Sequence, residues 1–140
     1  MKILLAVDGS PCTRHMLAYI AAHDELLRSV EDSTALTVVP PIPKYAASYL
    51  AGDVVQGYYL EQAEEVLKPV RAFAEQQGWK LDARHVVGHA GDVIAETAER
   101  GGYELVVMGS HGHSALTGAV LGSVATRVLA KCKVPVLIVR

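Results

Sequence analysis

The chain has 140 residues, of which 51% are hydrophobic and 20% charged, and its formal net charge is -2. This composition is typical of one globular domain, 1–140, and excludes a disordered chain. The mild acidity offers no basic surface for nucleic acid or for an acidic membrane. The first apolar run, ILLAV, is too short for a signal-peptide core, and no run approaches the roughly 18 residues of a membrane span, so we expect a cytoplasmic protein.

Apolar runs and helical periodicities alternate along the chain. Strands are predicted at the short aliphatic runs, 2–7, 35–39, 80–88, 103–109 and 134–139. Helices are predicted where apolar residues recur with helical spacing, at 10–28, 58–77, 92–100 and 123–132. Repeated strand–helix alternation is typical of an α/β fold, here a single doubly wound domain whose parallel sheet has helices on both faces.

Local signals mark several boundaries. Ser10 and Pro11 suit the N-cap and the first position of the first helix. Pro69 lies inside the second helical pattern and should bend the helix or break one turn, and Gly78 should end it. Segment 40–57 contains three prolines and two glycines and is predicted to be the longest irregular loop.

The segment between the fourth strand and the last helix is rich in glycine, at Gly109, Gly112, Gly118 and Gly122. Glycine lets the backbone approach a ligand closely and adopt positive φ. Gly122 and Ser123 stand at the start of a helix, where the first N–H groups lack internal partners and the helix dipole is positive. These features favour a bound phosphate, to which the Ser123 hydroxyl can donate, and Ser123 can also cap the helix. The alternative is a pair of ordinary turns.

Two common nucleotide motifs are absent from the sequence. There is no GxxxxGK followed by Ser or Thr, and no GxGxxG after the first strand, so neither a P-loop nor a nicotinamide cofactor is expected. In open α/β sheets ligands bind beyond the carboxyl ends of the strands. The DGSP turn after the first strand and the glycine-rich segment are therefore predicted to flank one crevice.

The spacing G-x2-G-x9-G followed by Ser, from Gly109 to Ser123, resembles the ATP-binding branch of the universal stress protein family. The opening ILLAVDGS, the segment GDVIAETAERGGYELVVMGSHG and the closing VPVLIV are similar to that family as well. The resemblance implies a five-stranded parallel sheet of order 3-2-1-4-5, a role in the stress response, and homodimers that form through the fifth strand. The apolar PVLIV run is the kind of strand edge that pairs with another chain.

The resemblance also implies which residues bind the nucleotide. Asp8 and Val38 would lie by the adenosine, although Asp8 can instead accept N–H groups of its own turn. The other implied residues would lie along the ribose and the phosphates and at the helix start: Met108, Gly109, His111, Gly112, Gly122, Ser123, Val124 and Ala125. Ala125 stands where other members have a hydroxyl residue, which removes one phosphate contact. The implied ligand is ATP, with or without Mg²⁺, and ADP and AMP are alternatives.

Other polar residues allow further interpretations. His111 and His113 could share a metal ion, but zinc needs more ligands than the spacing supplies, so no metal site is predicted. His111 is interpreted instead as a donor to phosphate or as a solvated loop residue. Arg127 can reach a phosphate or face solvent. The glutamates of the second helix are predicted to form a solvated face, at Glu61, Glu64 and Glu65.

Three functions are compatible with these residues. The leading hypothesis is a regulatory module that binds ATP and changes its dimer or lid state. The second is a slow ATPase, or a phosphotransferase or nucleotidyltransferase, which would need a metal-holding carboxylate, a cation at the γ-phosphate and a positioned base. The sequence offers Asp8 and two histidines for these roles but no lysine in the glycine-rich segment, so no catalytic residue is assigned. The third is a ligand-free dimeric scaffold.

Overall fold

A computed structural model describes residues 1–26, 28, 30–112, 118 and 120–140 of the chain. Its strands are β1 Lys2–Ala6, β2 Asp32–Val39, β3 Asp82–Val87, β4 Leu105–Gly109 and β5 Val136–Val139. Its helices are α1 Pro11–Ala22, α2 Lys44–Ala47, α3 Gly52–Gln77, α4 Ala90–Arg100 and α5 Ser123–Lys131. Among the described residues, no helix is both long enough and apolar enough to cross a membrane.

The strands form one all-parallel sheet in the order β3-β2-β1-β4-β5. β1 is central, and its Leu4 lies between Thr34 of β2 and Val106 of β4. A central parallel strand is covered on both faces, which explains the continuous apolar run in β1. The predicted doubly wound α/β fold and its strand order are confirmed.

Successive residues of β1 point into two separate cores, because side chains alternate between the faces of a strand. Ile3 packs into the core that includes Met16 of α1 and Leu67 of α3. Leu4 packs into the core that includes Val128 of α5 and residues of α4. The helices therefore cover both faces of the sheet, as the alternation of strands and helices predicted.

The first helix is shorter than predicted. The sequence indicated a helix over 10–28, but α1 ends at Ala22 and His23 leaves the helical conformation. A single 3-10 turn follows at Asp24–Leu26, and none of its residues is buried. Because tertiary packing of an apolar face supplies most of the stability of a short helix, this exposed stretch does not extend α1.

Segment 40–57 is largely helical, so the prediction of a long irregular loop is wrong. It contains α2, and α3 begins within it at Gly52. Gly57 is a poor helix former, but tertiary contacts override this local preference. Tyr59 is buried, and its hydroxyl accepts the N–H of Ile42 at 2.9 Å, which ties the first turns of α3 to the chain after β2.

Pro69 does not interrupt α3, which runs unbroken to Gln77. Proline removes one helical hydrogen bond. Leu67 and Val70 on either side of it are buried, and this packing holds the helix together at that point. Gly78 ends the helix as predicted, in the left-handed conformation with φ of 71°.

Candidate functional site

The carboxyl ends of the central strands open onto a cleft of about 370 Å³. β1 is the point at which strand order reverses, because β2 lies on one side of it and β4 on the other. The connections after β1 and β4 leave towards opposite faces of such a sheet, and their divergence creates a crevice. Small-molecule sites typically have volumes of roughly 300–1,000 Å³, so the cleft is large enough for a ligand of that kind.

Every residue that the family resemblance implied lines this cleft: Asp8, Val38, Met108, Gly109, His111, Gly112, Gly122, Ser123, Val124 and Ala125. They come from the ends of β1, β2 and β4, from the segment after β4 and from the start of α5. The fold thus brings together residues that are far apart in the sequence. Their role in binding remains a prediction.

Asp8 is fixed in the turn between β1 and α1. Its Oδ1 accepts the N–H of Ser10 at 2.9 Å and the hydroxyl of Thr13 at 2.8 Å, while Thr13 Oγ1 accepts the N–H of Asp8 at 3.0 Å. Ser10 caps α1 by accepting the N–H of Thr13 at 3.4 Å, and Pro11 takes the first helical position, as predicted. Oδ1 of Asp8 therefore stabilises the turn, and these hydrogen bonds hold the carboxylate at the wall of the cleft.

Two glycines, Gly109 at the end of β4 and Gly112 shortly after it, permit this turn to pack closely against them. A β-carbon on Gly109 would lie 2.7 Å from Cβ of Cys12, and one on Gly112 would lie 2.6 Å from Oδ2 of Asp8. Both distances are too short for a real side chain. The second oxygen of Asp8 therefore lies directly against the backbone of Gly112, and the two loops form one continuous surface.

Gly122 allows a third close approach. A β-carbon there would lie 3.1 Å from Cα of His111 and 3.2 Å from the carbonyl oxygen of Ser110, which already accepts the N–H of Gly122 at 2.7 Å. Positive φ occurs in this segment at Gly118, with φ of 84°, but not at the three glycines that touch neighbouring loops. Of the two properties that the sequence analysis named for glycine, these three residues use close backbone approach, here to neighbouring loops, and not positive φ.

The start of α5 presents its first amides to the cleft. Gly122 is the N-cap, and within the described residues no side chain caps this helix, so the interpretation of Ser123 as a cap is wrong. Ser123 is already the first helical residue. The N–H groups of Ser123, Val124 and Ala125 have no carbonyl within the helix to bond, and all three residues line the cleft. The positive end of the helix dipole lies at the same place.

Ser110 and His111 connect β4 to this surface. Ser110 is buried, and its N–H donates to the carbonyl of Val139 at 3.0 Å. Its Oγ lies 3.0 Å from Nδ1 of His111, which orients the imidazole at the cleft. His113, the other member of the histidine pair considered for a metal, lies outside the described residues. The part of the chain that is described holds no group of three or more potential metal-ligating side chains.

Arg127 is held by α4 and does not line the cleft. Its Nε donates to Oδ1 of Asp92 at 2.8 Å, and Nζ of Lys131 lies 2.8 Å from the same oxygen. The hydrogen bonds from Lys131 and Arg127 lower the pKa of Asp92 from 3.8 to about 2. A β-carbon on Gly91 would lie 2.5 Å from Cβ of Arg127, so α4 and α5 pack closely here. Arg127 was interpreted as either reaching a phosphate or facing solvent. The structure fits the second interpretation, and it also shows that the side chain forms an ion pair with Asp92.

The cleft also includes residues that the sequence patterns did not reveal, among them Thr13, Pro40, Gln62, Glu65, Val66 and Ser110. Ser110 lies inside the glycine-rich motif, so its position could have suggested it. The α3 residues gave no such signal, because their place depends on how the whole helix packs. Glu65 is exposed, as expected, but also lines the cleft, whereas Glu64 forms an ion pair with Arg71.

A doubly wound parallel sheet, with a glycine-rich segment and a helix start meeting at its switch point, defines a class of α/β domains suited to ligands with an anionic group. The chain belongs to the universal stress protein family, whose model matches residues 1–140.

Individual family members match along the whole chain. Universal stress protein Slr1230 of Synechocystis is 31% identical over 139 residues, which is 99% of this chain and 42% of that protein. The solved structure of MJ0577, a universal stress protein of Methanocaldococcus jannaschii, has a TM-score of 0.82 and 28% identity, covering 99% of this chain and 94% of that one. The universal stress protein of Archaeoglobus fulgidus in complex with dAMP has a TM-score of 0.67 and 22% identity, covering 100% of this chain and 98% of that one.

The curated relatives are longer than the regions that match. The matches to Slr1230 and to a universal stress protein of Mycolicibacterium smegmatis cover 99% and 100% of this chain but 42% and 46% of those proteins, so the chain spans about half their length. The matches to MJ0531 and MJ0577 cover 57% of this chain and 47% and 49% of those proteins. Family membership therefore describes the domain, and the activity and partners of a whole protein are proposals.

Proposed function

We propose that the cleft binds an adenine nucleotide, with ATP as the ligand, and that binding makes the chain a nucleotide-dependent regulatory module of the stress response. The adenosine lies near Asp8 and Val38. The phosphates lie against the backbone of Gly112 and Gly122 and against the first amides of α5. The observation that carries this proposal is the convergence of the predicted motif residues on one cleft at the start of α5.

The dAMP complex of the Archaeoglobus fulgidus family member supports an adenine nucleotide as the ligand class. The cleft volume of about 370 Å³ suits such a ligand. Bare glycine backbone and a helix N-terminus are the groups that bind phosphate oxygens without needing a basic side chain. These features fit the nucleotide independently of the family comparison.

The charges around the cleft favour binding over phosphoryl transfer. Among the described lining residues are the carboxylates of Asp8 and Glu65 and the imidazole of His111, but no lysine or arginine. Phosphoryl transfer relies on cations placed at the transferred group. We therefore rank a binding module ahead of an ATPase or a transferase. Where Mg²⁺ accompanies the nucleotide, Asp8 is the cleft carboxylate that would hold it and the ion would offset phosphate charge.

We further propose that the chain forms homodimers through β5 in the cytoplasm. β5 is an edge of the sheet and pairs with β4 on one side. Val136, Leu137 and Ile138 on this strand are only partly buried. An apolar strand edge of this kind is stabilised by pairing with a second copy.

Thermal unfolding with ATP, ADP and AMP tests the proposal. Ligand at 100 times its Kd should stabilise the fold by about 2.7 kcal/mol. A rise in Tm with no phosphate release supports the binding module, whereas release at several turnovers per second would favour the enzyme. If Tm does not rise with any of these nucleotides, the ligand-free scaffold is the remaining hypothesis. Sedimentation analysis tests separately whether the chain forms homodimers.

A further inference from the structure

One face of α3 forms a wall of the cleft beside the carboxyl end of β2. Glu65 and Val66 lie three and four positions after Gln62, a spacing that places both beside Gln62 on the same side of the helix. They line the cleft together with Val38 and Pro40. This wall therefore lies at the end of the cleft that is lined by residues from the end of β2. The adenosine is proposed to bind at that end.

The wall is fixed by packing on its other side. Ala63 and Leu67 of α3 are at most 1% exposed. The hydrogen bond from the N–H of Ile42 to the hydroxyl of Tyr59 anchors the same helix to the chain that follows β2. The backbone of Glu65 is consequently held at the cleft, although its side chain reaches solvent.

Glu65 brings a negative charge that the described part of the protein does not pair. Glu64 next to it forms an ion pair with Arg71, but the side chains of Glu65 and Gln62 have no hydrogen bond or ion pair with any described residue. A carboxylate accepts hydrogen bonds and cannot donate them, whereas an amide does both. Within this wall, the carboxylate of Glu65 can therefore bind a hydrogen-bond donor of a ligand but not an acceptor, whereas the amide of Gln62 can bind either.

The two ends of the cleft carry opposite electrostatic character. The amides at the start of α5 attract an anionic group, and the carboxylate of Glu65 repels one. A ligand with phosphates at one end and a hydrogen-bond donor at the other matches this arrangement. Adenine has one such donor group on its ring, the exocyclic 6-amino group.

We infer that Glu65 is a specificity-determining residue that accepts a hydrogen bond from the 6-amino group of adenine. The inference rests on the proposed function, since it assigns the base end of the same nucleotide site. Gln62 contributes contact without discrimination, because its amide can donate or accept.

The test compares the affinities of two ligands for two proteins, the wild type and Glu65→Ala. The ligands are ATP and purine riboside triphosphate, in which hydrogen replaces the 6-amino group, and binding to the full chain is measured by calorimetry. Wild type should bind ATP about five- to tenfold more tightly, as expected for a hydrogen bond to a charged group near solvent. Glu65→Ala should reduce that preference to less than about twofold by removing the acceptor.

Glu61→Ala is the matched control, because Glu61 is an exposed glutamate one turn earlier on α3 and does not line the cleft. It should keep the wild-type preference. If Glu65→Ala also keeps it, or if wild type binds both ligands equally, the inference is overturned while nucleotide binding stands. If wild type binds neither ligand, the proposed function itself fails.

Discussion

Oδ2 of Asp8 lies so close to the backbone of Gly112 that a β-carbon on Gly112 would be 2.6 Å from it. The carboxylate cannot simply rotate away, because Oδ1 is held by the N–H of Ser10 and the hydroxyl of Thr13. The turn after β1 and the segment after β4 therefore set each other's position. Any side chain at Gly112 must displace one of them.

Gly112→Ala is accordingly predicted to weaken ATP binding by about tenfold, since it disturbs the carboxylate or the loop that faces it. Loss of one or both hydrogen bonds of Asp8 should lower the free energy of unfolding by about 1–2 kcal/mol. Calorimetric titration and urea unfolding measure the two effects. Unchanged affinity in Gly112→Ala would show that this contact does not shape the nucleotide site.

Gly122→Val is predicted to abolish nucleotide binding while the fold survives. Even the β-carbon would crowd Cα of His111 and the carbonyl oxygen of Ser110, at 3.1 and 3.2 Å, and the two valine methyl groups would occupy the space proposed for phosphate. Overpacking of this kind typically costs about 1–3 kcal/mol. Circular dichroism checks the fold, and retained ATP binding by the variant would refute the placement of the phosphates.

The sequence predicted the parts of the site that depend on local chemistry. The continuous apolar run of β1, the cap at Ser10 and the spacing from Gly109 to Ser123 are all visible in short stretches of residues. The strand order added the geometry, because it places those stretches at one edge of the sheet. The residues that the family resemblance implied consequently line one cleft.

The parts that could not be predicted depend on contacts between distant residues. Prolines and glycines in 40–57 suggested a loop, but the hydrogen bond between Ile42 and Tyr59 and the burial of Tyr59 stabilise a helix there. The position of Glu65 at the cleft follows from that same packing of α3. Likewise, the sequence analysis named both close approach to a ligand and positive φ as roles of the glycines. It could not predict that three of them instead allow close approach to neighbouring loops.

Gly57→Ala is predicted to stabilise the protein, and it tests the helical assignment of this segment. Gly57 lies inside α3, and a β-carbon there would meet nothing within 4 Å. Alanine in a helix interior is favoured over glycine by about 1 kcal/mol. Thermal unfolding should show a higher Tm with unchanged ATP affinity. A lower Tm would indicate that this stretch is not helical in solution.

Asp92 is predicted to make the stability of the protein depend on pH in the acid range. Its pKa is lowered to about 2 in the folded chain by Lys131 and Arg127, compared with 3.8 ordinarily, so the unfolded chain takes up the proton more readily. Stability from this group is therefore fully present above about pH 4 and is lost as the pH falls from 3.8 towards 2. Urea unfolding midpoints between pH 5 and pH 2 measure the loss.

Asp92→Asn should flatten that part of the profile, because an amide does not titrate. The double variant Arg127→Gln/Lys131→Gln keeps the carboxylate but removes the cations that lower its pKa, and it should flatten the profile as well. Arg127 and Lys131 are exposed and Asp92 is partly exposed, so the fold is expected to persist in both variants. Midpoints that fall in parallel for wild type and Asp92→Asn would show that the ion pairs between α4 and α5 do not form in solution.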